Sequence, residues 1–266
     1  MVKAPQAKTA FHAVLAVVFQ VRDGRLEVLL WRRAREPFAR SWALPGGTLD
    51  PDESLEALIR RHLAAKVDVR ELTHLEQLET RGQPGRNPLR WELATAYLGL
   101  IPSSADPALP ADTRWHPVDR LPRLAFDHKP IVHAARGRLR AKLSYTNIGY
   151  ALAPETFTIS ELRELYVAAL GHDVTATNLR RVLLRRGLLA PTGRRRDPGR
   201  EGGRPAALFR FRTRTLAITD QFAVLRPPAA VATPSGPADP QRQATPLGEE
   251  NGKRMTSRAA LRSRRR

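Results

Sequence analysis

Apolar and polar positions along this chain alternate first with one period and then with another, and the change of period predicts its elements. Residues 13–21 and 26–31 are apolar runs on either side of Asp23 and Gly24, a pair that favours a tight β-hairpin. Residues 42–47 read as a strand entering a turn, where Gly46 and Gly47 permit backbone to come close to a phosphate. From Glu53 to Lys66 the apolar residues Leu55, Leu58, Ile59 and Leu63 fall on one helical stripe. Residues 71–79 and 91–101 predict two further strands separated by the turn-rich segment 82–88, and residues 127–143 predict a basic helix.

Past residue 145 the helical period dominates. Thr158 and Glu161 have the spacing of a capping box, opening a helix through Leu162, Leu165, Tyr166 and Ala169 that stops at Gly171. Residues 175–186 predict a second helix, with Leu179, Val182 and Leu183 inward and Thr177, Asn178, Arg181 and Arg185 turned away. An arginine-rich strand pair follows. Two helices and a basic hairpin are the layout of a winged helix-turn-helix. Residues 216–225 predict a last short element. From residue 226 to 266, proline, alanine, serine and charge predominate, and too little apolar surface remains to offset ordering entropy, which predicts a disordered basic tail.

Charge changes the picture from fold to partner. Across 266 residues, 45 Lys and Arg face 26 Asp and Glu, a formal net charge of +19, so a polyanion is expected, nucleic acid before an anionic membrane. The charge concentrates where a winged helix needs it, with eleven arginines and two acidic residues in 174–212. Asn178 suits adenine and Arg181 suits guanine in a major groove, with Thr177 and Arg185 on the same face. Arg194, Arg195 and Arg204 are candidate wing contacts, Arg204 for a narrow minor groove. No cysteine is present, which excludes disulfides, thiolate metal sites and a cysteine nucleophile. No signal peptide is legible and no apolar run approaches the roughly 20 residues needed to cross a bilayer, so a soluble cytoplasmic protein is expected.

The chemistry lies in residues 46–69. The Nudix signature is G-x5-E-x7-R-E-U-x-E-E-x-G-U, with U a bulky apolar residue, and Gly47, Glu53, Arg61, Leu63 and Val69 fall on it in register. His62, Ala65 and Lys66 stand where it has glutamates, and Asp68 where it has glycine. Magnesium takes oxygen ligands in near-octahedral geometry; Ala65 offers none, and the Lys66 ammonium opposes a cation. The frame argues for a Nudix fold and the losses argue against hydrolysis, leaving a pocket for a nucleoside diphosphate with no metal or cofactor. Its candidate residues are Arg33, Arg40, Gly46, Gly47, Glu53 and Arg61, with Arg61 favoured as the structural partner of Glu53. His62 reads as a helix-surface residue, and His128 as either pocket lining or polar filler.

These readings give an α/β (α+β) chain: a Nudix-type mixed-sheet sandwich over 11–143, a winged helix-turn-helix over 145–212, and the disordered basic tail. The order of motifs resembles the Nudix-related transcriptional regulators of NAD metabolism. The resemblance rests on residues 42–53, 75–80 with 82–88, 96–102, 124–128 and 143–147, and in the second half on 157–162, Asn178 with Arg180 and Arg181, and 202–206. It implies a regulator that binds ADP-ribose or a related NAD-derived nucleotide, reads a double-stranded operator as a homodimer, and acts on NAD biosynthesis or salvage genes. Helix 127–143 is then the expected lever between pocket and DNA. The alternatives are an active ADP-ribose hydrolase and a non-specific nucleic-acid binder.

Overall fold

The computed structural model describes residues 10–50, 52–197 and 205–220. The expected tail, 226–266, and the wing residue Arg204 lie outside them.

The opening hairpin is β1 (Phe11–Arg22) and β2 (Arg25–Arg32), turning through Asp23 and Gly24, both at positive φ. Away from that turn the two strands diverge, and residues 42–48 fill the wedge: β3 (Trp42–Ala43) pairs with β2 and β4 (Gly46–Thr48) pairs with β1. Helix α1 (Leu55–Val67) follows, capped by the Ser54 hydroxyl, which accepts from the Ala57 amide. It ends at Asp68, which takes the left-handed conformation (φ 53°) where the signature has glycine, its N–H bonded to the Leu63 carbonyl. Next come β5 (His74–Arg81), β6 (Glu92–Leu100) and β7 (Thr113–Pro117). Within the described residues these seven strands form one mixed sheet, with β6 parallel to β1 and β7 on β2. Strand β7 has no counterpart in the sequence reading, because five residues mixing polar, aromatic and proline positions carry no readable alternation.

Strand β1 is buried on both faces, and its alternate residues serve two cores. Val14, Ala16 and Val18 pack with Leu58, Ile59 and Leu63 of α1. Leu15, Val17 and Phe19 belong to a larger cluster on the opposite face, containing Ile131, Val132, Ala135, Leu139 and Leu143 of α2 (His128–Tyr145). That cluster does not stop at the end of the sheet layer. It continues into Leu162, Leu165 and Tyr166 of α3 (Ile159–Leu170), Leu179 and Leu183 of α4 (Ala176–Arg185), and Phe209 and Phe211 of β9 (Ala206–Phe211). The two halves therefore share one core.

The second half follows its sequence pattern. The Thr158 hydroxyl accepts from the Glu161 amide, while the Glu161 carboxylate accepts from the Thr158 amide, completing the capping box. Helix α3 stops at Gly171 (φ 74°). Thr175 caps α4, and β8 (Leu189–Arg196) pairs antiparallel with β9 to form the wing. Of the expected last element, Ile218 forms an isolated bridge with Thr146, and the residues past 220 lie outside the described set.

Candidate functional site

A cavity of about 370 Å3 opens where β1 and β2 diverge. Its floor is Ala13 and Leu15 of β1 with Leu44, Gly46, Gly47 and Thr48 of the wedge. The cations Arg33, Arg35, Arg86 and Arg90 line it, with Glu36, Glu92, Phe126 and His128. A larger cleft of about 530 Å3 lies between the β1–β2 turn and α3, but Asp23, Asp106, Glu161 and Glu164 outnumber Arg22 in its lining. That wall repels a diphosphate, whereas four guanidiniums attract one.

Three of the cavity arginines are held in place. Arg86, 4% exposed, bonds the Glu92 carboxylate (3.0 Å) with one terminal nitrogen and the Asp127 carboxylate (2.8 Å) with the other. Arg90 bonds Glu92 (2.7 Å) and lies over the Phe11 ring. Arg33 lies 4.7 Å over the Phe126 ring, its Nε donating to the Pro37 carbonyl, and burial lowers its pKa. Phe126 holds φ 51°, a strained conformation for a bulky residue, and its ring meets Phe38 edge-on at 4.9 Å.

His128 is buried and lines the cavity. Its Nδ1 accepts from the Leu44 amide at 3.0 Å, which leaves the proton on Nε2. Burial drives its pKa down to about 3, and the Arg86 and Arg33 charges add to that against Asp127, so the ring is a neutral donor at physiological pH.

Of the expected ligand residues, Arg33, Gly46 and Gly47 line the cavity, and Arg40, Glu53 and Arg61 do not. Arg40 is exposed, and its amide closes the loop onto the Arg33 carbonyl. Glu53 and Arg61 are joined by two hydrogen bonds (2.8 and 2.5 Å), with Asp50 at 3.3 Å from Arg61; the structural partnership is what they form. The glycines do not form a turn. Both lie on β4 without positive φ, and they are needed for closeness: a Cβ at Gly46 meets the Val14 carbonyl at 2.2 Å, and one at Gly47 meets the His62 ring at 1.9 Å. His62 is thus a packed residue rather than a surface one, its Nδ1 3.1 Å from the Gly46 carbonyl, with burial and then Lys66 lowering its pKa.

The box positions do not fit a magnesium ion. His62 spends Nδ1 on a backbone carbonyl, Ala65 has no ligand atom, and the Lys66 ammonium lies 5.6 Å from the Trp31 ring centroid. Among the described residues no group of three or more His, Asp or Glu side chains is placed to hold a metal.

On α4, Thr177, Asn178, Arg181 and Arg185 are all exposed, and the Arg181 guanidinium donates to the Asn178 side-chain oxygen at 2.9 Å. Thr177 and Arg181 edge a shallow groove with Ile159, Ala176, Arg180 and Leu184. Arg194 and Arg195 are exposed on β8, and their neighbour Arg196 pairs with Glu161. Sequence reasoning missed Arg35, Arg86, Arg90, Glu92 and Phe126 as cavity residues. Their signal was present as a cluster of arginines and a buried acid around a loop, but a loop segment by itself does not show which cavity it lines.

The NUDIX domain family model matches residues 11–135, and the model of the NrtR DNA-binding winged helix domain matches residues 149–211. The ADPR responsive transcriptional repressor NtrR of Acinetobacter baylyi is 32% identical over 201 residues, covering 73% of this chain and 79% of that protein. The crystal structure of Shewanella oneidensis NrtR complexed with a 27mer DNA is similar at 35% identity and TM-score 0.66, over 75% of this chain and 92% of that one. A second crystal structure of Shewanella oneidensis NrtR matches with TM-score 0.67 over 75% and 93% of the two chains. No helix among the described residues is long and apolar enough to cross a membrane.

Proposed function

The chain belongs to the NrtR family of regulators that join a Nudix domain to a DNA-binding winged helix, and from that premise we propose that it binds operator DNA and senses ADP-ribose, or a close NAD-derived nucleotide, without hydrolysing it. The observation that carries this reading is a cavity kept while its chemistry is gone: four arginines line the cavity, and the box glutamates are His62, Ala65 and Lys66. A relative is named for its response to ADPR and another was crystallised on DNA, and the same two functions are proposed here.

In this mechanism Arg33, Arg35, Arg86 and Arg90 hold the diphosphate by charge-assisted hydrogen bonds, and His128 Nε2 donates to a neutral oxygen of the ligand. Helix α4 enters the major groove with Asn178 and Arg181 on base edges and Thr177 and Arg185 beside them, Arg194 and Arg195 of β8 neutralise phosphates, and Arg204, outside the described residues, is the candidate for a narrow minor groove. A homodimer in the cytoplasm, acting on genes of NAD biosynthesis or salvage, completes the proposal; two-fold symmetry places its recognition helices on half-sites about one helical turn apart.

The test is calorimetric titration with ADP-ribose in EDTA and again in Mg2+, with product analysis of the same samples. Equal binding in both and background turnover are expected. Magnesium-dependent turnover would instead make the chain a hydrolase.

A further inference from the structure

Three consecutive residues at the start of α2 are each held by a different group of the cavity. The Phe126 ring lies under the Arg33 guanidinium, the Asp127 carboxylate is bonded by Arg86, and His128 Nδ1 accepts from Leu44 of the wedge. Asp127 is the N-cap residue of α2, yet its side chain makes no capping hydrogen bond. Its oxygens are turned to Arg86 instead, at 2.8 Å and 3.4 Å.

This run therefore has two ways of satisfying its groups. A guanidinium has five N–H donors; Arg86 directs three at Glu92 and Asp127 and has one left on each terminal nitrogen. Those two are what an anion in the cavity can take. An anion that draws Arg86 toward itself loosens its hold on Asp127, and the freed carboxylate can cap α2. Position three of the helix is Pro130, which has no N–H, so the amide within capping reach is that of Lys129.

The far end of α2 meets the DNA-binding half. Arg186, the C-cap of α4, donates to the backbone carbonyl of Thr146, the C-cap of α2, at 3.1 Å. Between those ends the inward side chains of α2 sit in the shared core. Close-packed interiors transmit displacement rather than absorb it, so a shift at Asp127 reaches the base of α4 about 27 Å along the helix.

We propose that Asp127 is the positioning residue through which occupancy of the cavity is read into α2 and on to α4, by exchanging Arg86 for the Lys129 amide. The proposal rests on the cavity being the nucleotide sensor.

Its test uses the full chain and a duplex that the protein itself selects from a random pool. The dissociation constant of ADP-ribose is measured for free and DNA-bound protein, and their ratio is the coupling factor, which for allosteric proteins is about 5–150-fold. In Asp127→Asn, which caps as well as aspartate but lacks the charge that holds Arg86, the ratio should fall to near unity while ADP-ribose still binds; Asp127→Glu, which keeps a carboxylate for Arg86 but is not a capping residue, should lose the coupling too. Arg35→Ala, a cavity change with no tie to α2, should weaken ADP-ribose binding and leave the ratio intact. A parent chain that binds ADP-ribose without coupling refutes the sensor reading and the relay with it; Asp127→Asn with parental coupling refutes the relay alone. Hydrogen exchange of the parent gives an answer independent of any variant. ADP-ribose should protect the Lys129 amide, and unchanged exchange there in the saturated protein overturns the proposal.

Discussion

The contact between Gly47 and His62 can be measured as an energy. Gly47 has ordinary backbone dihedrals, so alanine there carries no conformational penalty, and in a strand it would otherwise be favoured over glycine by about 0.5–1 kcal/mol. The obstacle is steric. A Cβ at Gly47 would sit 1.9 Å from Cε1 and 2.6 Å from both nitrogens of His62, whose ring is pinned to the Gly46 carbonyl. Overpacking of this kind costs about 1–3 kcal/mol. At about 2–4 °C per kcal/mol for a chain of this size class, Gly47→Ala should lower the melting temperature by several degrees. His62→Ala removes the obstacle at its own cost in burial and one hydrogen bond. In that background Gly47→Ala should become neutral or stabilising, a coupling of about 1–3 kcal/mol between neighbours. Urea unfolding of the four proteins, followed by tryptophan fluorescence, measures the cycle. Gly46→Ala is the control: its Cβ would meet the backbone carbonyl of Val14 at 2.2 Å, which no side-chain deletion relieves. Additivity of Gly47→Ala and His62→Ala within about 0.5 kcal/mol would refute the claim that this ring is what requires the glycine.

On DNA, Asn178→Ala or Arg181→Ala should cost ~1–3 kcal/mol on a selected duplex and little on random sequence, read by fluorescence anisotropy; equal losses on both make them surface residues. Arg195→Ala should weaken all sequences alike and reduce the salt slope by about one. The buried neutral His128 predicts a pH dependence. Its pKa falls from an ordinary 6.5 to about 3 in the fold, so between those values the unfolded chain binds a proton that the folded one refuses. Stability should then fall by about 1.4 kcal/mol for each pH unit below 6.5 from this residue. His128→Asn keeps an acceptor for the Leu44 amide and should flatten the slope by that amount; an unchanged slope means that another group sets it.

The readable parts of the fold were those governed by local chemistry. Asp23 and Gly24 set the hairpin, Thr158 and Glu161 set the start of α3, and the stripe of Leu58, Ile59 and Leu63 set α1. The exposed face of α4 was legible for the same reason, since its period alone separates Leu179 and Leu183 from Asn178 and Arg181. The cavity was less so. Arg86 and Asp127 are 41 residues apart and meet only once β6 and α2 are in place. The glycine pair was misread because a short motif records the absence of a side chain, not the neighbour that requires it. For Gly47 that neighbour is a histidine standing where the family's signature has a glutamate.

The shared core has a consequence for how a signal can travel. Helix α2 buries Ile131, Leu139 and Leu143 in a cluster that already contains side chains of both the sheet and the winged helix. A hinge requires a seam where few side chains interlock, and among the described residues none separates the cavity from α4. A signal carried by local unfolding is equally disfavoured, since loosening α2 would expose apolar surface belonging to both halves. What remains is shear: packed helices sliding past one another in small steps, with side chains keeping their neighbours. Such motions have short travel and little slack, so in the proposed dimer the spacing of the two α4 helices on a duplex would be set by small displacements.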